Sequence, residues 1–116
     1  MENNLLATFL EHEDVHRLKS RLEWGQPGFT ILDVREHSSF QHGHITGAIP
    51  MPLSELSNRA NNSLHKHRDI YVYGESDAHA AEAVQILREA GFDSVSELKG
   101  GLTAWKNVGG ATEGVG

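Results

Sequence analysis

An α/β fold with a mostly parallel sheet is predicted by this sequence, on three observations. Short apolar runs rich in β-formers recur at residues 29–34, 69–73 and 94–98. Stretches with apolar residues three and four apart precede or separate them, the signature of one-sided helices. Turn residues stand at most switches between the two patterns. Strands alternating with helices lie parallel, joined by right-handed crossovers that put helices on the sheet faces.

The elements follow in order. Residues 13–24 carry Val15, Leu18 and Leu22 on one helical face, and Gly25-Gln26-Pro27-Gly28 ends that helix. Phe29-Thr30-Ile31-Leu32-Asp33-Val34 reads as a buried strand. Residues 37–42 form about a turn and a half of helix around Phe40, stopped by Gly43. Residues 45–51 are extended, because Pro50 and Pro52 forbid helix there. A short helix over 54–60 starts near Pro52, and 61–68 is a polar loop. Asp69-Ile70-Tyr71-Val72-Tyr73 is a second buried strand, and 74–77 a turn. Residues 78–90 form an amphipathic helix with Ala80, Ala83, Val84 and Leu87 inward. Ser76 or Asp77 suits its N-cap and Gly91 its C-cap. Ser94-Val95-Ser96-Glu97-Leu98 is the third strand, and Gly100-Gly101 leads into a last helix over 102–108. A single domain over 1–109 and a flexible glycine-rich tail over 110–116 are expected.

Composition excludes several functions. The chain has 116 residues, 38% of them hydrophobic, enough for one core and little more. Ten basic against 16 acidic residues give a net charge of −6. Nucleic acid and anionic membranes need a phosphate-neutralising patch, so neither is an expected partner. No apolar run approaches the length that spans a bilayer. Met1-Glu2-Asn3-Asn4 lacks the basic start of a signal peptide. Cysteine is absent, which removes disulfides, Cys-zinc sites and every thiol nucleophile together. A cytoplasmic location is expected.

In a parallel sheet ligands bind beyond the carboxyl ends of the strands. The turns after Val34 and Tyr73 qualify. The second is strand, tight turn, helix. Its amides and the first N–H groups of the helix face one space, an anion cradle at a positive helix end. The candidate binding loop is therefore Gly74, Glu75, Ser76, Asp77, Ala78 and His79. Gly74, at the floor, brings no side chain, and Glu75 and Asp77 make the rim negative. Ser76 and His79 alone retain catalytic potential. Their plainer roles are a helix cap, shared with Asp77, and a solvated first-turn residue. The loop amides are expected to stay open and inward, satisfied by water and by Asp77. Asp33, Arg35 and Trp105 are candidates for the pocket wall, with Asp33 also suited to accepting backbone N–H bonds, Arg35 to pairing with a nearby carboxylate, and Trp105 to the core.

These blocks together resemble the rhodanese-like domain family. Leu32-Asp33-Val34-Arg35-Glu36 resembles that family's Asp-Val-Arg strand end. Phe40-Gln41-His42-Gly43-His44-Ile45-Thr46-Gly47-Ala48-Ile49-Pro50 is close to its G-H-I-x-G-A block and following proline. Ile70-Tyr71-Val72-Tyr73, a loop and an Ala-rich helix resemble its active-site strand, loop and helix. Gly100-Gly101 with Trp105 resembles its Gly-Gly…Trp helix. The resemblance runs from about Glu13 to Gly109. It implies a three-layer fold with helices on both faces of the sheet. It also implies that in active members the residue aligned with Gly74 is a cysteine, which carries a persulfide sulfur from donor to acceptor. His79 stands where an arginine is common. Without cysteine that chemistry has no nucleophile.

Two other clusters carry less. His12-Glu13-Asp14-Val15-His16 spells H-E-x-x-H, the zinc-protease pattern. Its acidic setting and the want of a third ligand favour an exposed helix with two solvated histidines. No metal and no cofactor are expected. His44 is expected to be a hydrogen-bonded fold residue, and His42, His65 and His67 to lie at the surface. The expected function is a catalytically inactive rhodanese-like module that binds a protein partner or a small anion. The alternative is a sulfurtransferase-related enzyme using Ser76 with His79 as base, or a partner's cysteine.

Overall fold

Apolar spacing sets the faces of this fold, and turn residues set its ends. The computed structural model describes residues 13–26 and 28–115. Helix α1 (Glu13–Glu23) buries Val15 and Leu18 completely and leaves Leu22 part exposed. Strand β1 (Phe29–Asp33) follows, then the short helix α2 (His37–His42). Gly43 ends α2, its N–H donating to Ser39 O at 3.2 Å. The extended segment then splits into β2 (His44–Ile45) and β3 (Ile49–Pro50). A turn through Gly47, whose φ of +88° suits glycine, separates the two. Helix α3 (Leu53–Ser63) starts at Pro52 and runs three residues past the expected end. Leu64 explains the extension: it packs against the core and its N–H donates to Ala60 O at 2.9 Å.

Strand β4 (Asp69–Tyr73) leads through the loop into α4 (Asp77–Glu89). Ala90 caps α4, and Gly91 comes one residue later with a φ of +95°. Strand β5 (Val95–Glu97) and helix α5 (Gly101–Asn107) complete the repeat.

The sheet order is β3-β1-β4-β5, all parallel. Alternation along the strands sends side chains to opposite faces. Leu32, Ile70 and Val72 meet Leu56, Ala83, Val84, Leu87 and Phe92 beneath α3 and α4. Ile31, Tyr71 and Tyr73 meet Val15, Leu18, Leu98 and Trp105 beneath α1 and α5. Each large side chain so buried contributes about 1.5–3 kcal/mol. The register pairs Asp33 with Tyr73, so the chain leaves β1 and β4 at one edge, side by side.

Of the tail expected to be flexible over 110–116, residues 110–115 are described and are held against the domain, while Gly116 lies outside the described residues. Residues 112 and 113 form β6 (Thr112–Glu113), antiparallel to β2, with Ile45 opposite Thr112 and His44 opposite Glu113. Trp105 Nε1 donates to Ala111 O at 2.9 Å, Thr46 N donates to the same oxygen at 3.1 Å, and Val115 N donates to Gln41 O at 2.8 Å. Gly110 lies against the Trp105 indole, where a Cβ would collide with the ring. Glycine there permits close packing.

Candidate functional site

The site forms where β1 and β4 end. Asp33, the last residue of β1, is fully buried. Its Oδ1 accepts from Arg35 N and Nε, both at 3.0 Å, and its Oδ2 from Arg35 Nη2 at 2.8 Å. Nη2 also donates to Gly43 O at 2.6 Å. The guanidinium carbon sits 5.4 Å from the centre of the Tyr73 ring. Burial alone would lower the Arg35 pKa. Asp33, with Tyr73 and Glu75, more than offsets that, and Arg35 ends above its ordinary value. Burial, then Asp33, push the Tyr73 phenol well up, and its oxygen accepts the Ile45 N–H at 3.1 Å.

Beyond β4 the loop turns into α4. Ser76 is the N-cap, and its Oγ accepts the backbone N–H of His79 at 3.2 Å. Asp77 reaches across to α5, where its Oδ1 accepts the Gly100 N–H at 2.9 Å. The imidazole of His79 folds back over the loop, and its Nδ1 accepts the Glu75 N–H at 3.1 Å. A Cβ built on Gly74 would stand 2.6 Å from that Nδ1 and 3.2 Å from Ala80 N. The ring thus occupies the space that a side chain at position 74 would enter. A cleft of about 330 Å³ opens beside it, lined by Arg35, Gly74, Ser76, Asp77, Gly101 and Thr103, with Glu75 at its rim.

The structure brings together Arg35, Gly74, Glu75, Ser76 and Asp77, and corrects several expectations. Trp105 is no part of the cleft wall. Its ring is buried and borders a separate, mostly apolar hollow with Lys19, Leu22 and Gly110. Asp33 lies behind Arg35 and holds it. Ala78 sits exposed on the first turn of α4, outside the cleft lining. His79 is turned inward, because the Glu75 amide offers a donor and Gly74 offers room. The open cradle is replaced by one partly satisfied from within. Asp77 caps α5 instead of α4, since the α5 N-terminus abuts the loop. Ser76 and His79 form no nucleophile–base pair, as the Ser76 Oγ meets the His79 backbone and the ring meets Glu75.

Sequence reasoning missed Gly101 and Thr103, the opposite wall. The signal was available: a helix that follows a parallel strand starts at the carboxyl edge of the sheet, as Gly100-Gly101 does.

His44 holds the fold. Its Nδ1 is 2.7 Å from Phe40 O, its Nε2 is 3.3 Å from Glu113 Oε1, and its ring stacks on Phe40 at 3.6 Å. His12, half of the H-E-x-x-H pattern, lies outside the described residues, and His16 is exposed. Among the described residues no three His, Asp or Glu side chains gather as metal ligands. None of the described helices is long and apolar enough to cross a membrane.

A parallel sheet covered on both faces, with an arginine facing a strand–loop–helix junction, defines an α/β domain with a cleft at the strand ends. This chain belongs to the rhodanese-like domain family, whose sequence model matches residues 14–108. It is 61% identical to the Alr3790 protein of Anabaena sp., with a TM-score of 0.84 over 87% of this chain and 90% of that one. It is 31% identical to the thiosulfate sulfurtransferase of Pseudomonas aeruginosa, with a TM-score of 0.79 over 86% of this chain and 19% of that one. It is 42% identical to the HTH-type transcriptional regulator Rv0324 of Mycobacterium tuberculosis, over 69% of this chain and 35% of that protein. The chain therefore spans only a part of either of the last two.

Proposed function

We propose that this domain is a catalytically inactive rhodanese-like module that docks a protein partner at the cleft between the β4–α4 loop and α5. One observation carries the reading: position 74 has no side chain, and the His79 ring takes the space a nucleophile would need. Persulfide chemistry requires a thiolate, and the chain has no cysteine. Glu75 and Asp77 put two carboxylates at a cleft whose one cation among the described residues, Arg35, is already paired with Asp33, which makes it a poor host for thiosulfate or another anion. They suit a partner segment that offers cations or N–H donors. The likeness to a transcriptional regulator supports a regulatory setting, since part of that protein resembles this domain.

The test has two arms. The purified chain, given thiosulfate and cyanide, releases thiocyanate at the rate of the blank. In native lysate the chain retains a partner that Glu75→Lys and Thr103→Arg variants release. Turnover that survives purification contradicts inactivity, and capture indifferent to both variants removes the cleft as the docking site.

A further inference from the structure

Position 74 and position 79 share one space. Gly74 has no positive φ, so glycine is not required there by its backbone. What a side chain would meet is the neighbour: His79 Nδ1 at 2.6 Å and Cγ at 3.1 Å from an added Cβ, with Ala80 N at 3.2 Å, so the ring has to move to admit one. The same Nδ1 accepts the Glu75 N–H, which a solvated ring would leave without this partner. The backbone of His79 is fixed independently, because its own N–H is held by Ser76 Oγ. The ring is therefore anchored at both ends, by its helix and by the loop amide.

We propose that His79 is a built-in occupant of the cradle, standing in for a ligand on the Glu75 amide, and that this contact is energetically coupled to the glycine at position 74. The inference rests on reading Gly74 as the vacated nucleophile position. It extends that reading: loss of the nucleophile and inward rotation of His79 form one unit. Two consequences follow. A ligand that reaches the Glu75 amide must first displace the imidazole. Restoring a side chain at position 74 displaces the imidazole from the Glu75 amide, a cost that a second change at 79 removes.

A double-mutant cycle tests the coupling. Urea unfolding is measured for the full chain, Gly74→Ala, His79→Ala and the double variant. The account expects Gly74→Ala to lower the midpoint. In the His79→Ala background the same change loses at least half of that effect, roughly, because the clash is gone and alanine restricts the unfolded chain. An equal loss in both backgrounds overturns the proposal. Amide exchange gives a second readout that needs no change at 74. In His79→Ala the Glu75 amide exchanges about fivefold faster, the equilibrium effect of one net hydrogen bond of about 1 kcal/mol, whereas His42→Ala leaves it alone. Unchanged Glu75 exchange in His79→Ala also overturns the proposal. Thiocyanate release by the wild-type chain would instead overturn the inactive reading and leave the measured coupling standing.

Discussion

Asp33 and Arg35 show how a single pair can set both the fold and the site. Asp33 has no exposure, so its charge depends on the three Arg35 donors around it. Removing one member of a buried pair leaves the other uncompensated, at a cost of about 3–5 kcal/mol. Arg35→Ala should therefore lose about that much stability, read from the urea midpoint at constant slope. A loss below about 1 kcal/mol, the range of an exposed pair, would contradict it. The sequence offered Asp33 as an acceptor of backbone N–H groups and Arg35 as the partner of some carboxylate; that the carboxylate is Asp33, two residues away, emerges only when the chain turns at the end of β1. The His79 ring was harder to read. Ser76-x-x-His79 has the spacing of a capping box, in which the third helical residue reaches back toward the cap. Histidine in place of glutamate hides that pattern, yet here its Nδ1 reaches one residue further, to Glu75.

The long elements were legible because their patterns repeat. Strands β1 and β4 are runs of β-formers between turn residues, and α4 sets Ala80, Ala83, Val84 and Leu87 on one face. Strands β2, β3 and β6 have two residues each, too few for any period to register. Glycine was the other source of error. At residues 109–116 it reads as looseness, whereas Gly110 is there because the Trp105 indole leaves no room. Gly110→Ala should cost about 1–3 kcal/mol, as overpacking does, and urea unfolding measures it. The Thr46 amide, bonded to Ala111 O, should be protected from exchange and lose that protection in Gly110→Ala. Fast Thr46 exchange in the wild type would return the tail to a loose one.

Across the whole molecule acidic residues outnumber basic ones, 16 to ten, and Glu97 at the end of β5 feels that balance. Burial, then the charges of Asp77 and Asp14, hold Glu97 above the ordinary carboxylate range, against the pull of Lys99. A raised folded pKa favours the fold while the group is protonated, and that benefit is lost as pH rises through the raised value. Glu97→Gln should therefore raise Tm at neutral pH. The gain should vanish at about pH 3, where glutamate is protonated folded or unfolded. A gain of equal size at both pH values would contradict the assignment. The covered parallel sheet and the site's place at its carboxyl edge were legible in the sequence. The α5 wall and the filled cradle were not, because both come from segments distant in sequence or from one rotamer.

With no cysteine in the chain, and Gly74 and the His79 ring where a persulfide would form, the proposed inactivity means that no group of this chain holds sulfur. Intact-protein mass spectrometry after incubation with thiosulfate, without reductant, tests it most directly. The account predicts a mass unchanged from the untreated chain. A stoichiometric gain of one sulfur atom, removed by cyanide with release of thiocyanate, would contradict it.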